Sequence, residues 1–83
     1  MASIRKVRVT VVSGRSDTNV RFADLQRLLR YLGFAERVRG GHYIYSRDGV
    51  EEILNLQPLK GGGAKPYQVK QVRQVLLRYR LEI

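Results

Sequence analysis

The apolar residues follow one period between Phe22 and Leu32 and another between Ala35 and Gln57, and that switch restricts the fold more than any other feature. Phe22, Leu25, Leu28, Leu29 and Leu32 recur at helical spacing, with Asp24, Arg27, Arg30 and Tyr31 on the other side. The spacing predicts an amphipathic helix of about three turns. Asp24 falls in its first turn, where a negative charge suits the helix dipole. Gly33 is placed to take the left-handed conformation that ends a helix, and Phe34 to pack back over it.

Beyond Phe34 the pattern predicts strands. Glu36–Arg39 is short and charged, and Gly40-Gly41 can form a tight turn. His42 to Ser46 alternates, so Tyr43 and Tyr45 share one face and His42 shares the other with Ile44. Arg47-Asp48-Gly49 is a hairpin signal. Val50 to Gln57 reads as a third strand, whose adjacent Ile53 and Leu54 imply a bulge or burial on both faces, and Pro58 ends it.

Two segments flank this unit. Over residues 4–13 two periods fit. Val7, Val9 and Val11 alternate as in an edge strand, while Ile4, Val7 and Val11 fit one helical face with Gly14 as the stop. Arg15–Asn19 is a polar loop. After the strands, Lys60-Gly-Gly-Gly-Ala-Lys65 reads as a flexible basic loop leading to Pro66, which suits a first helical position. Val69, Val72, Val75, Leu76 and Tyr79 line one face of that last helix, opposite a polar ridge of Lys70, Gln74 and Arg78. Leu77 and Leu81 fall outside the stripe and imply a further contact, with the N-terminal segment or a partner. The order helix, three antiparallel strands, helix predicts a two-layer α+β domain whose sheet has one face open to ligand.

Charge bears on what that face meets. Sixteen Lys and Arg against seven Asp and Glu leave a net +9 on 83 residues, which favours a polyanionic partner whose counterions are released on binding. The chain has no cysteine and one histidine, which argues against a disulfide framework, a thiolate nucleophile or an all-protein zinc cage. No apolar run is long enough to cross a bilayer and the first residues lack a signal-peptide core, so the expected compartment is the cytoplasm, with no membrane partner.

Several chemistries lack their residues. Gly61–Pro66 does not carry the lysine and hydroxyl that a phosphate loop needs. Glu51 and Glu52 point to opposite faces of a strand, and no serine-triad motif accompanies His42. RNA cleavage without a metal or other cofactor remains feasible, because RNA supplies its own nucleophile, the 2′-hydroxyl. The protein then needs a proton acceptor, a proton donor and positive charge for the phosphate. A histidine, with an unperturbed pKa of about 6.5, serves near neutral pH as base, acid or both. The adjacent glycines would let a phosphate approach the backbone beside His42. A lone histidine on a strand also has ordinary structural or solvated roles. Tyr43 and Tyr45 either stack on bases or pack against a helix.

The chain resembles the HicA toxin family of type II toxin–antitoxin systems from about Arg15 to Arg80. The resemblance rests on Val20-x-Phe22-x-x-Leu25-x-x-Leu28-Leu29-x-x-Leu32-Gly33-Phe34, on Arg39-Gly40-Gly41-His42-x-Ile44, on Asn55-Leu56-Gln57 and on Lys65–Arg73, in that order. It implies a single domain over 1–83, with an N-terminal extension at 1–14 and a HicA-like core at 20–80, similar in fold to double-stranded-RNA-binding domains. It also implies an mRNA interferase whose catalytic histidine is His42, with mRNA as substrate; Arg37, Arg39, Gly41, Lys60, Lys65 and Lys70 are then the candidate RNA contacts, each cation being otherwise a solvated surface charge. The partner it implies is a HicB-like antitoxin, through which alone the pair would meet operator DNA. Two positions depart from the family's pattern: Gly41 stands where serine is usual, and no second histidine follows the third strand. Lys60, Lys65, Tyr67 or a second use of His42 are the options for the general acid. A non-catalytic double-stranded-RNA-binding module and a basic domain docking on an acidic protein are the alternatives outside catalysis.

Overall fold

The computed structural model describes residues 2–82; Met1 and Ile83, the ends of the expected domain, lie outside the described residues. The elements are α1 (Ile4–Ser13), a 3-10 turn (Asp17–Asn19), α2 (Phe22–Tyr31), β1 (Ala35–Arg39), β2 (His42–Arg47), β3 (Val50–Leu56) and α3 (Pro66–Arg78). The three strands form one antiparallel sheet in the order β1-β2-β3. This is the α+β arrangement that the change of period predicts.

Residues 4–13 resolve as a helix. Ser3 caps it, its Oγ accepting from the Lys6 backbone N–H at 3.1 Å, and Gly14 closes it at φ +72°. Val7 and Val11 are buried while Val9 is 59% exposed, the outcome that separates the helical face from the strand alternation. Valine's preference for strands yields here to packing against α2 and α3. Three arginines fasten the helix, two at its ends and one, its own Arg8, from its middle. Arg73 Nη1 donates to the Val11 carbonyl at 3.1 Å, Arg27 Nη2 to the Ala2 carbonyl at 2.9 Å, and Arg8 Nε to the Leu81 carbonyl at 2.9 Å. Leu81 is buried and meets this N-terminal segment, whereas Leu77 stays exposed.

The stripe of α2 is buried from Phe22 to Leu32, each such side chain stabilising the fold by about 1.5–3 kcal/mol relative to exposure. Its C-terminus is closed by Gly33 N–H on the Arg30 carbonyl and Phe34 N–H on the Leu29 carbonyl, both at 3.0 Å, and Phe34 is buried over them. On β2, Tyr45 is fully buried and Tyr43 meets the Phe22 ring edge-on at 5.2 Å, so of the two expectations for these tyrosines the structure shows packing against a helix.

On β3, Leu54 and Leu56 point inward and Ile53 outward, with a register shift opposite Tyr45–Arg47. Of the two expectations for Ile53-Leu54, the irregularity is present and burial of both faces is not. The segment 60–65 also departs from a flexible loop, because its backbone is hydrogen-bonded. Leu59 N–H donates to the Gly63 carbonyl, Ala64 N–H to Val20 and Phe22 N–H to Gly62, which seats the loop against the entry to α2. Among the described residues no helix is long and apolar enough to cross a membrane.

Candidate functional site

In an antiparallel pair, residues directly opposite each other project to the same side of the sheet. Arg39 pairs with His42, Arg37 with Ile44, and Ile44 in turn with Asn55. Arg37, Arg39, His42, Ile44 and Asn55 therefore share the face turned away from the helices, and all except Ile44 are exposed there. The turn that delivers His42 to this face is the two-residue link Gly40-Gly41, with φ of +55° and +83°. A hairpin turn with both central residues at positive φ is the one whose twist matches its strands. A serine at 41 would have to take up the same left-handed conformation, at a cost of about 1–2 kcal/mol. Gly41 is thus accounted for by the turn.

Among the described residues the His42 side chain has one hydrogen-bond partner. Its Nδ1 lies 3.0 Å from Oδ1 of Asn55. A carboxamide oxygen only accepts, so Nδ1 carries the hydrogen and, in the neutral ring, Nε2 is left as the free proton acceptor. Asn55 is positioned in turn from below. Gln68 of α3, the one buried polar residue among those described, donates from Nε2 to the Asn55 carbonyl at 3.4 Å and accepts the Gln57 backbone N–H at 3.1 Å. Its amide takes the place of a neighbouring strand along the free edge of β3, so His42, Asn55 and Gln57 hold a common register.

Lys65 reaches the same corner. It precedes Pro66 at the N-terminus of α3, and its Nζ donates to Oε1 of Gln57 at 3.3 Å. Gln57 lies beside the glycine turn: a β-carbon on Gly41 would be 4.0 Å from Gln57 Nε2. The first turn of α3 holds no acidic residue, so the positive end of its dipole adds to the field of Lys65.

Five of the seven carboxylate side chains are committed elsewhere. Asp24 pairs with Arg27, Glu36 with Arg30, Asp17 with Arg73, and Glu51 and Glu52 both with Arg78. Arg37, Arg39 and Lys65 have no carboxylate partner among the described residues, which leaves the surroundings of His42 with uncompensated positive charge. Beneath the sheet, Tyr45 donates its hydroxyl to Glu36. That bond first, then Arg30, holds the Glu36 carboxyl below its ordinary value against a burial effect that raises it. Burial, then the bond to Glu36, pushes the Tyr45 hydroxyl well above the usual tyrosine range. These two groups are structural, on the opposite side of the sheet from His42.

Of the residues singled out in the sequence, the structure gathers His42, Gly41, Arg37, Arg39 and Lys65 around one open face. Lys60 sits in the turn between Pro58 and Ala64, and Lys70 on the exposed side of α3, neither with a hydrogen bond into the His42 network. Tyr67 is tied to Gln68, whose Nε2 donates to its hydroxyl at 3.4 Å. Asn55, Gln57 and Gln68 are the residues that the sequence reading did not assign to the site. The signal for the first two was present, because period two places them opposite the apolar Leu54 and Leu56. Among the described residues no three of His, Cys, Asp and Glu come together as a metal site. A groove of about 340 Å³ between β3 and α3 is lined by Ile53, Asn55, Gln71 and Gln74 among others, and of the His42 network only Asn55 reaches it. Comparison with protein-family models, with curated proteins and with solved structures finds no match to this chain.

Proposed function

We propose that the chain is a metal-independent endoribonuclease that cleaves mRNA with His42, and that it acts as the toxin of a toxin–antitoxin pair held in check by a HicB-like antitoxin. The observation that supports this reading most is the state of His42. Its Nδ1 is engaged by Asn55, its Nε2 is free, and it stands on an open sheet face beside Arg37, Arg39 and Lys65. In the proposed reaction Nε2 removes the proton of a 2′-hydroxyl, whose oxygen attacks the adjacent phosphorus. The 5′-oxygen departs with a proton, leaving a 2′,3′-cyclic phosphate and a 5′-hydroxyl. The cations stabilise the charge that builds on the phosphoryl oxygens in the transition state. Lys65 is the candidate acid best connected to the site, through Gln57.

The basic open face is also the surface that an antitoxin would cover, and a partner carrying acidic groups suits the net charge of +9. Operator DNA enters this reading only through the antitoxin. Inducing the wild-type chain alone in a bacterial host should arrest growth, His42→Ala should not, and co-expression of the acidic partner should restore growth. Equal arrest by the alanine variant would exclude His42 as the toxic group.

A second reading rests on a specific observation. Among the described residues no titratable group makes a hydrogen bond to His42, and a non-catalytic RNA-binding module would use the same face without proton transfer. It predicts salt-sensitive RNA retention with intact RNA recovered.

A further inference from the structure

Gln57 is the group at this site whose hydrogen-bonding capacity is half used. Its carbonyl oxygen accepts from Lys65 Nζ at 3.3 Å and its backbone N–H is held by Gln68 at 3.1 Å. An ammonium group only donates, which fixes the orientation of the amide with Oε1 toward Lys65 and Nε2 away from it. The two hydrogens on Nε2 have no acceptor in the hydrogen-bond network of the described residues, and Nε2 stands 4.0 Å from where a β-carbon on Gly41 would be, a position that glycine leaves open. The turn's need for glycine at 41 thus leaves a clear approach to a pair of donors adjoining His42.

We infer that Gln57 Nε2, backed by Lys65, is the seat of an RNA phosphodiester beside His42. The inference deepens the ribonuclease reading and rests on it for which phosphate is bound. An anionic oxygen at this point would accept from Nε2 while lying within the field of Lys65 and of the acid-free N-terminus of α3. Polarisation by the ammonium on Oε1 makes the amide hydrogens better donors, since linked hydrogen bonds strengthen one another. The arrangement also places the phosphate next to Gly41, the residue that precedes His42, rather than over the buried strand faces. Gln57 would therefore act as a substrate-binding residue, with Gln68 the positioning residue that holds its backbone.

The test uses a 2′-O-methyl oligonucleotide, which keeps the phosphates and removes the nucleophile. Titrated into ¹⁵N-labelled full-length protein, it should shift the side-chain amide signals of Gln57. Gln57→Ala should weaken its binding by about tenfold, the value of one hydrogen bond to a charged group. Gln57→Glu separates the roles. It preserves an oxygen for Lys65 and loses the donors, so it should weaken binding at least as much as alanine. Wild-type affinity in Gln57→Glu would mean that the residue only anchors Lys65, and silent amide signals would also overturn the inference. If wild-type protein leaves ordinary RNA intact while the Gln57 amide still responds, the ribonuclease reading falls and the phosphate seat stands.

Discussion

Replacing Asn55 by alanine separates the positioning of His42 from its chemistry. Oδ1 of Asn55 lies 3.0 Å from Nδ1, and both side chains are exposed. A hydrogen bond between neutral groups contributes a net ~0.5–1.5 kcal/mol, and exposure to competing water places this one at the lower end. About 0.5–1 kcal/mol corresponds to roughly a two- to fivefold change in the population of rings with hydrogen on Nδ1 and Nε2 free. Among the described residues the Asn55 side chain makes no other hydrogen bond, so the fold should lose no more than about 1 kcal/mol. Removing the proton acceptor itself, by contrast, should cost about 10²–10⁴-fold in rate. The assay pairs RNA cleavage rates with long-range ¹H–¹⁵N spectra that report the tautomer of His42. Asn55→Ala should slow cleavage roughly two- to fivefold and mix the tautomers. Asn55→Asp, which keeps an accepting oxygen in place, should restore the single tautomer. An unchanged tautomer in Asn55→Ala, or a rate loss as large as that of His42→Ala, would refute the assignment of Asn55 as a positioning residue.

Other predictions concern the scaffold and the charge around the site. Arg73 donates to Val11 and to both oxygens of Asp17 from a position only 17% exposed, so Arg73→Met should cost about 2–3 kcal/mol and lower the melting temperature by roughly 10–20 °C; a loss under about 0.5 kcal/mol would contradict the account of how α1 is fastened. Glu36 has its carboxyl held below the ordinary value of 4.5, chiefly by Tyr45 and then by Arg30, so its stabilisation is complete above that pH and is lost as pH falls through the folded-state value. Urea unfolding should show that Glu36→Gln reduces stability near neutral pH and flattens its decline on acidification, whereas an unchanged acid limb would speak against the Tyr45–Glu36 link. Replacing Arg37 and Arg39 together by serine should weaken RNA binding across sequences and reduce the log–log salt slope by about 1.4, near 0.7 for each single-strand phosphate that is no longer neutralised.

How far the sequence exposes this structure varies with the residues concerned. The stripe from Phe22 to Leu32, the Gly33-Phe34 stop and the alternation through Tyr43 and Tyr45 each obey one period, and each forms the element that period predicts. Residues 4–13 obey two, because a run of valines at every second position also supplies Val7 and Val11 at helical spacing. The choice depends on tertiary packing and on a cap at Ser3 that a local pattern of valines does not reveal. The glycine run at 61–63 reads as flexible because glycine is permissive, yet its order comes from backbone pairing with Val20 and Phe22, far away in the chain. The candidate site divides in the same way. The histidine and the arginines are visible from composition and turn chemistry. Asn55 and Gln57 become site residues only when the register sets β3 beside β2, and Lys65 only when α3 starts at that corner.

Proton transfer on RNA is the role proposed for His42. The measurement that bears on it most directly is cleavage of a defined mRNA by purified wild-type and His42→Ala proteins in EDTA, at equal concentration and with folding checked by circular dichroism. Fragments ending in 2′,3′-cyclic phosphate and 5′-hydroxyl are expected from the wild type, and a rate at least about 100-fold lower from the variant. Cleavage by His42→Ala at the wild-type rate, or intact RNA with both proteins, would contradict it.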